Sequence, residues 1–136
     1  MSSQLKNNTI KQIAEEYTNR IWNNKDFSVI DNLVDNEIII HSVLGDFHGP
    51  KTLKEVVNVW LKAFPDLKVI NTLVIAENDI VSIQWQARGT HKGEFKGKSP
   101  TGKIITYTGV TLYRIQNGKI IEYWVYIDMQ HLLNQL

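Results

Sequence analysis

Apolar positions along this chain change their period once, and the change separates a helical first half from a strand-rich second half. Ile10, Ile13, Ala14, Tyr17 and Ile21 recur at three- and four-residue spacings, the stripe of an amphipathic helix. Thr9 with Gln12 three residues later is a capping-box pattern, so the helix is predicted to open there. Asn23-Asn24-Lys25-Asp26 ends it, and Phe27, Ile30 and Leu33 predict a short second helix. The β-branched run Ile38-Ile39-Ile40 predicts a strand from Glu37 to Val43. Gly45 and Gly49-Pro50 mark a loop, with Pro50 placed to begin a helix. Leu53, Val56, Val57, Trp60, Leu61 and Phe64 then keep the helical period until Pro65 stops it.

Beyond Leu67 the period becomes two. Strands are predicted at 67–76, 80–91, 104–115 and 120–127, with a tight turn at Glu77-Asn78-Asp79. Asn117-Gly118 sits between Ile115 and Ile120 and is a hairpin signal, because both central residues of that turn take positive φ. A long loop of glycines and Pro100 spans 93–103, and Leu132, Leu133 and Leu136 predict a short terminal helix or tail. Helices followed by an antiparallel meander predict one α+β domain over 1–136, with helices covering one sheet face and a small-molecule pocket between them. No repeat or linker interrupts it.

Composition narrows the partners. Hydrophobic residues make up 43% of the chain and charged residues 21%, enough to bury a sizeable core. The net charge of +1 supplies no concentrated basic face, so no nucleic acid is expected as partner. The lysines between Lys92 and Lys103 are broken up by glycines and read as a solvated loop. With no cysteine, disulfides, thiolate metal sites and cysteine nucleophiles are all excluded. The segment Met1 to Asn8 is polar, and no apolar run approaches a membrane span, so a cytoplasmic protein with no membrane association is expected.

Candidate chemistry concentrates in the last strand. Ile120, Glu122, Trp124, Tyr126 and Asp128 share one phase, while Ile121, Tyr123, Val125 and Ile127 share the other. The first phase interleaves two carboxylates with aromatics. If it turns inward, desolvation raises their pKa and suits Asp128 or Glu122 to proton transfer. Pattern alone allows the plainer alternative that both acids are exposed, and one bulge in this strand would exchange the faces. Of the histidines, His41 and His91 fall at strand ends where an imidazole can serve as acid, base or hydrogen-bonding group, whereas His48 and His131 read as surface groups. None has a partner at metal-ligand spacing. Phosphate-cradling loops and Gly-x-Ser-x-Gly elbows are absent from the sequence.

Seven motifs in register carry a resemblance over nearly the whole chain. They are Phe64-Pro65-Asp66-Leu67, Glu77-Asn78-Asp79, Gly89-Thr90-His91-Lys92-Gly93, Ser99-Pro100-Thr101-Gly102-Lys103, Tyr113-Arg114-Ile115, Gly118 to Trp124, and Asp128 with the closing Leu132-Leu133-Asn134-Gln135-Leu136. Together they resemble the SnoaL-like polyketide cyclases, also called predicted ester cyclases, of the nuclear-transport-factor-like superfamily. The resemblance implies a cone: a strongly bent antiparallel sheet wrapped around N-terminal helices and enclosing an apolar cavity. It also implies aldol-type ring closure or related isomerase or lyase chemistry on a small apolar or aromatic carbonyl compound, with no cofactor and no metal. A non-catalytic metabolite-binding protein of the same fold is the alternative.

By the same resemblance, the acid/base is Asp128, with Glu122 competing. The neighbouring strand, 106–115, lacks the histidine that the family pairs with that aspartate, so His41 or His91 would take its place. Tyr17, Trp60, Phe64, Trp85, Trp124 and Tyr126 are the expected substrate-binding wall. A homodimer is expected through the outer sheet face, with Tyr107, Tyr113 and Tyr123 as either contact or core residues.

Overall fold

The computed structural model describes residues 3–136; the first two residues of the polar N-terminal segment lie outside the described residues. Helix α1 runs Ser3–Tyr17 and continues as a π-helical turn, Thr18–Asn23. Its buried stripe is the predicted one: Ile10, Ala14, Tyr17 and Ile21 face the core. Its predicted start is not. Thr9 lies inside the helix and its hydroxyl donates to the Leu5 carbonyl, 3.0 Å away, so the Thr9 to Gln12 spacing caps nothing.

A 3₁₀ turn, Phe27–Val29, capped by Asp26, leads into the short α2, Ile30–Leu33. Strand β1, Val34–Ser42, is followed by β2, Gly45–His48, in the stretch expected to be loop. Phe47 pairs with Ile40 across this small hairpin. Helix α3 is Pro50–Ala63, with Leu53, Val56, Val57 and Trp60 buried along one side. Next come β3 (Lys68–Glu77), β4 (Ile80–Thr90), β5 (Ile104–Gln116) and β6 (Lys119–Ile127), and finally α4, Met129–Asn134. Asn117 and Gly118 both have positive φ in the last hairpin, as the turn requires.

One six-stranded sheet results, in the order β2-β1-β6-β5-β4-β3. All pairs are antiparallel except β1 with β6, which run parallel. The parallel pair arises because α3 and four strands intervene between β1 and β6, so the chain returns by a crossover rather than by a hairpin. α1 and α3 fill the concave side.

Three register shifts interrupt the sheet; one lies in β1 between Val34 and Ile39, where it pairs with β6, and the other two bend β3 and β6. In β3 the extra residue is Thr72, whose hydroxyl donates to the Gln84 carbonyl at 3.0 Å. In β6 it is Ile121: Arg114 pairs with Glu122, but Ile115 pairs with Ile120. A bulge of this kind bends a strand and advances its side-chain phase by one residue. Ile120 and Tyr123 are therefore both buried, while Glu122 and Trp124 point to the convex side.

Gly109 in β5 admits the curvature on the inner side. A Cβ there would lie 2.4 Å from the Trp85 ring and 2.6 Å from the Tyr126 carbonyl, so only glycine lets the indole cross the strand. Gly109→Ala should cost about 1–3 kcal/mol of stability, the usual range for overpacking a close-packed site. Urea unfolding of the two proteins measures it, and equal midpoints would mean that Trp85 can move aside at no cost.

Candidate functional site

Between the concave face and the helices lies a cavity of about 60 Å³. On the same measure one water needs roughly 10–15 Å³, so there is room for several waters or a small organic molecule. Trp22 and Thr18 of the π-helical turn, Trp60 of α3, Trp85 of β4, and Tyr107, Thr111, Tyr113, Tyr123, Val125 and Ile127 of β5 and β6 line it. No carboxylate, imidazole, lysine or arginine is among the lining residues. The wall is aromatic and aliphatic, with hydroxyls and indole nitrogens as its polar groups.

These groups are ordered by packing. Trp60 lies over Tyr107 with ring centroids 5.5 Å apart, and Phe95, from the loop after β4, stacks behind it at 4.8 Å. Trp85 donates its indole N–H to Thr111 Oγ1 at 2.9 Å, which satisfies a polar group that would otherwise be buried unpaired. At the α1 end, Tyr17, Tyr113 and Tyr123 form a cluster with ring centroids 5.5–5.9 Å apart. The Tyr17 and Tyr123 hydroxyls are 3.2 Å apart. Burial pushes the hydroxyls of all three, and of Tyr107, above the ordinary phenol range, so they are neutral donors.

Of the predicted substrate-binding residues, Trp60 and Trp85 line the cavity. Tyr17 and Phe64 are fully buried one layer behind it. Trp124 and Tyr126 are on the other side of the sheet; Tyr126 is 59% exposed. The Ile121 bulge is the reason, since it turns the phase expected inward to the outside. The shift turns Tyr123 inside, and the unbroken alternation of β5 puts Tyr107 and Tyr113 there too, so none of the three can make the outer-face contact considered for them; Ile70, Ile104, Tyr126 and Ile75 are among the exposed large apolar groups.

The predicted acid–base residues are not gathered at the cavity. Asp128 is exposed, and its carboxylate caps α4 by accepting from the His131 N–H at 3.1 Å. It does not meet the expectation of a carboxylate buried in the pocket. His91 is fully buried but lines the loop, not the cavity: Nδ1 accepts from the Thr101 N–H at 3.2 Å and faces Thr101 Oγ1 at 3.0 Å. With Nδ1 as acceptor the ring carries its proton on Nε2, which has no hydrogen-bond partner. His91 thus pins the loop to the end of β4.

His41 and Glu122 do come together, on the convex face. His41 Nε2 is 2.8 Å from Glu122 and Nδ1 is 3.1 Å from Asp46, while Arg114 reaches Glu122 at 3.2 Å. Trp124 is the platform beneath them: His41 stacks on it at 5.3 Å, and the Arg114 guanidinium lies over its ring at 5.3 Å. Among the described residues no three His, Asp or Glu side chains converge as a metal-ligand set, and no helix is long and apolar enough to cross a membrane.

With the geometry in view, similarity decides the family. The family model for SnoaL-like polyketide cyclases matches residues 12–136. The chain belongs to that family. No curated protein matches the sequence. Among solved structures, AclR of Streptomyces galilaeus, a candidate hydroxylase, shares 31% identity over 93% of this chain and 80% of its own, with a TM-score of 0.82. IdmH of Streptomyces antibioticus, a candidate polyketide cyclase, shares 25% over 93% and 96%, also at 0.82. A SnoaL-like cyclase structure from Jannaschia sp. CCS1 has the same fold, at a TM-score of 0.88 and 20% identity over 95% and 92%. The expected cone fold is the observed one.

The His41 pair makes stability depend on pH. Both ring nitrogens face carboxylates, so both bonds exist together only in the imidazolium, and the Glu122 bond, helped by Asp46, raises the His41 pKa against the opposing effect of burial. A raised folded-state pKa means the contribution is complete below the unfolded value of ~6.5 and is lost as pH climbs through the folded one. The urea midpoint should therefore fall between about pH 6 and 8 in the wild type. It should fall less in His41→Gln; identical slopes would show that the pair carries no linkage.

Proposed function

We propose that this SnoaL-like protein takes a small, neutral, largely apolar carbonyl compound into its aromatic cavity. One observation supports the reading above others: the cavity is walled by Trp22, Trp60, Trp85 and three tyrosines, with no charged side chain to greet an ion. Stripping water from an ion in such a place would cost several kcal/mol with nothing to offset it, whereas a flat apolar molecule gains contact on every side. The hydroxyls of Tyr107, Thr111, Tyr113 and Tyr123 supply hydrogen bonds to an oxygen without demanding charge. Binding is thus the activity for which the cavity carries its full equipment.

A small aromatic ketone should quench the tryptophan fluorescence of the protein saturably. Val125→Phe, which pushes a ring into the cavity, should remove the effect while leaving the circular dichroism spectrum unchanged. Saturable quenching that survives the substitution would place the ligand elsewhere.

Ring closure of the aldol type is the second reading. Its support is the family membership and the position of Asp128, which directly follows the cavity-lining Ile127. The reaction needs a base to remove a C–H proton beside a carbonyl and a donor for the oxygen that becomes alkoxide. The phenols suit the second task; Asp128 stands outside the cavity as the cap of α4 and would serve the first only by releasing that cap. A positioned base is worth roughly 10²–10⁴ in rate. Asp128→Asn, which keeps the helix cap, should lower turnover of an aldol-competent ketoester by that factor with its affinity unchanged. Equal turnover in both proteins would eliminate Asp128 as the base.

A further inference from the structure

The hydrogen bonds around the tyrosine cluster have a direction, and that direction identifies one donor in the cavity. Tyr17 is fully buried, and its hydroxyl meets the Tyr123 hydroxyl at 3.2 Å. Either oxygen can donate across this contact. If Tyr123 donated, the Tyr17 proton would be left in the core without an acceptor, at the cost of an unmade buried hydrogen bond. If Tyr17 donates, the proton left over belongs to Tyr123, whose side chain lines the cavity. The second arrangement is the cheaper one.

The order is then Tyr17 to Tyr123, with the Tyr123 proton on the cavity side. No carbonyl, carboxylate or other obligate acceptor follows Tyr123 among the described residues, and no hydrogen bond joins it to Tyr113. Nearby, the Trp85 indole donates to the Thr111 hydroxyl, which also lines the cavity.

We propose that the Tyr123 hydroxyl, held by Tyr17, is the hydrogen-bond donor to the carbonyl oxygen of the bound ligand, which makes the site select molecules with an acceptor oxygen over isosteres without one. Tyr17 is a positioning residue: it touches no ligand but fixes which way the Tyr123 proton points. This inference rests on the cavity reading above and deepens it, since it names the group that recognises the carbonyl.

Acetophenone and α-methylstyrene are a suitable pair of probes, because they differ by an oxygen in place of a CH₂ group. Titration of the purified protein by tryptophan fluorescence gives the two affinities, and the infrared C=O stretch of bound acetophenone reports the hydrogen bond directly. In the wild type the stretch should lie below its value in hexane. In Tyr123→Phe, which keeps the ring, it should return to the hexane value, and acetophenone should bind roughly three- to tenfold more weakly while α-methylstyrene is unaffected. Tyr17→Phe should move the stretch part of the way back and leave α-methylstyrene binding unchanged, a signature that a merely structural role would not produce.

A stretch that is the same in wild type and Tyr123→Phe overturns the assignment of Tyr123 while the cavity reading stands, because both probes are then shown to bind. Failure of both probes to bind the wild type up to their solubility overturns both.

Discussion

A single additional residue in β6, Ile121, decides which side chains this molecule can present to a ligand. Before it the strand pairs in one register with β5, and after it in another. The displacement is small in distance, but with a side-chain period of two it moves every later residue to the opposite face. Tyr123, Val125 and Ile127 become cavity wall, and Glu122, Trp124 and Tyr126 become outer surface. The matching curvature at Thr72 in β3 and the missing side chain at Gly109 let the sheet close over α1 and α3 without a clash.

Two polar systems of opposite character follow from that division. Outside, His41, Glu122, Arg114 and Asp46 are partly solvated, charged and arranged on Trp124, where water screens them and pH controls them. Along the cavity wall, side-chain polarity is carried by hydroxyls and indole N–H groups, and burial keeps the phenols neutral across the physiological range. The sheet separates them by one backbone layer. The interior can therefore donate hydrogen bonds to an oxygen in a low-dielectric setting, where such bonds are strong, without attracting ions.

The loop after β4 completes the enclosure by a different device. His91 holds Thr101 from below, and the Lys92 and Gly93 N–H groups both reach the Ala63 carbonyl at the end of α3. A Cβ at Gly93 would come within 2.1 Å of the Lys62 carbonyl, so the loop can pass this close only as glycine. Phe95 is thereby placed behind Trp60 and Phe64, and it fixes the aromatic wall from the side remote from the ligand. A histidine that pattern suggested for catalysis serves as a loop anchor.

Local periodicity in the sequence was enough to determine the helices and the strands of the meander, because Leu53 to Trp60 and the alternation after Leu67 are written in neighbouring residues. The resemblance to the family, and the cone it implied, came instead from the motifs in register between Phe64 and Leu136. Trp60 and Trp85 were legible as cavity residues because each lies on an uninterrupted face of its element. What only the tertiary structure decided was β2, the parallel pairing of β1 with β6, and the facing of β6. Strand partners are distant in sequence, and a bulge leaves no mark on hydrophobic alternation when both phases contain aromatics, as they do from Ile120 to Ile127. Asp128, His41 and Glu122 therefore had the residue types of a catalytic group but not its position, while Tyr17, Tyr113 and Tyr123 acquired a role only when three separate elements brought their hydroxyls into one cluster.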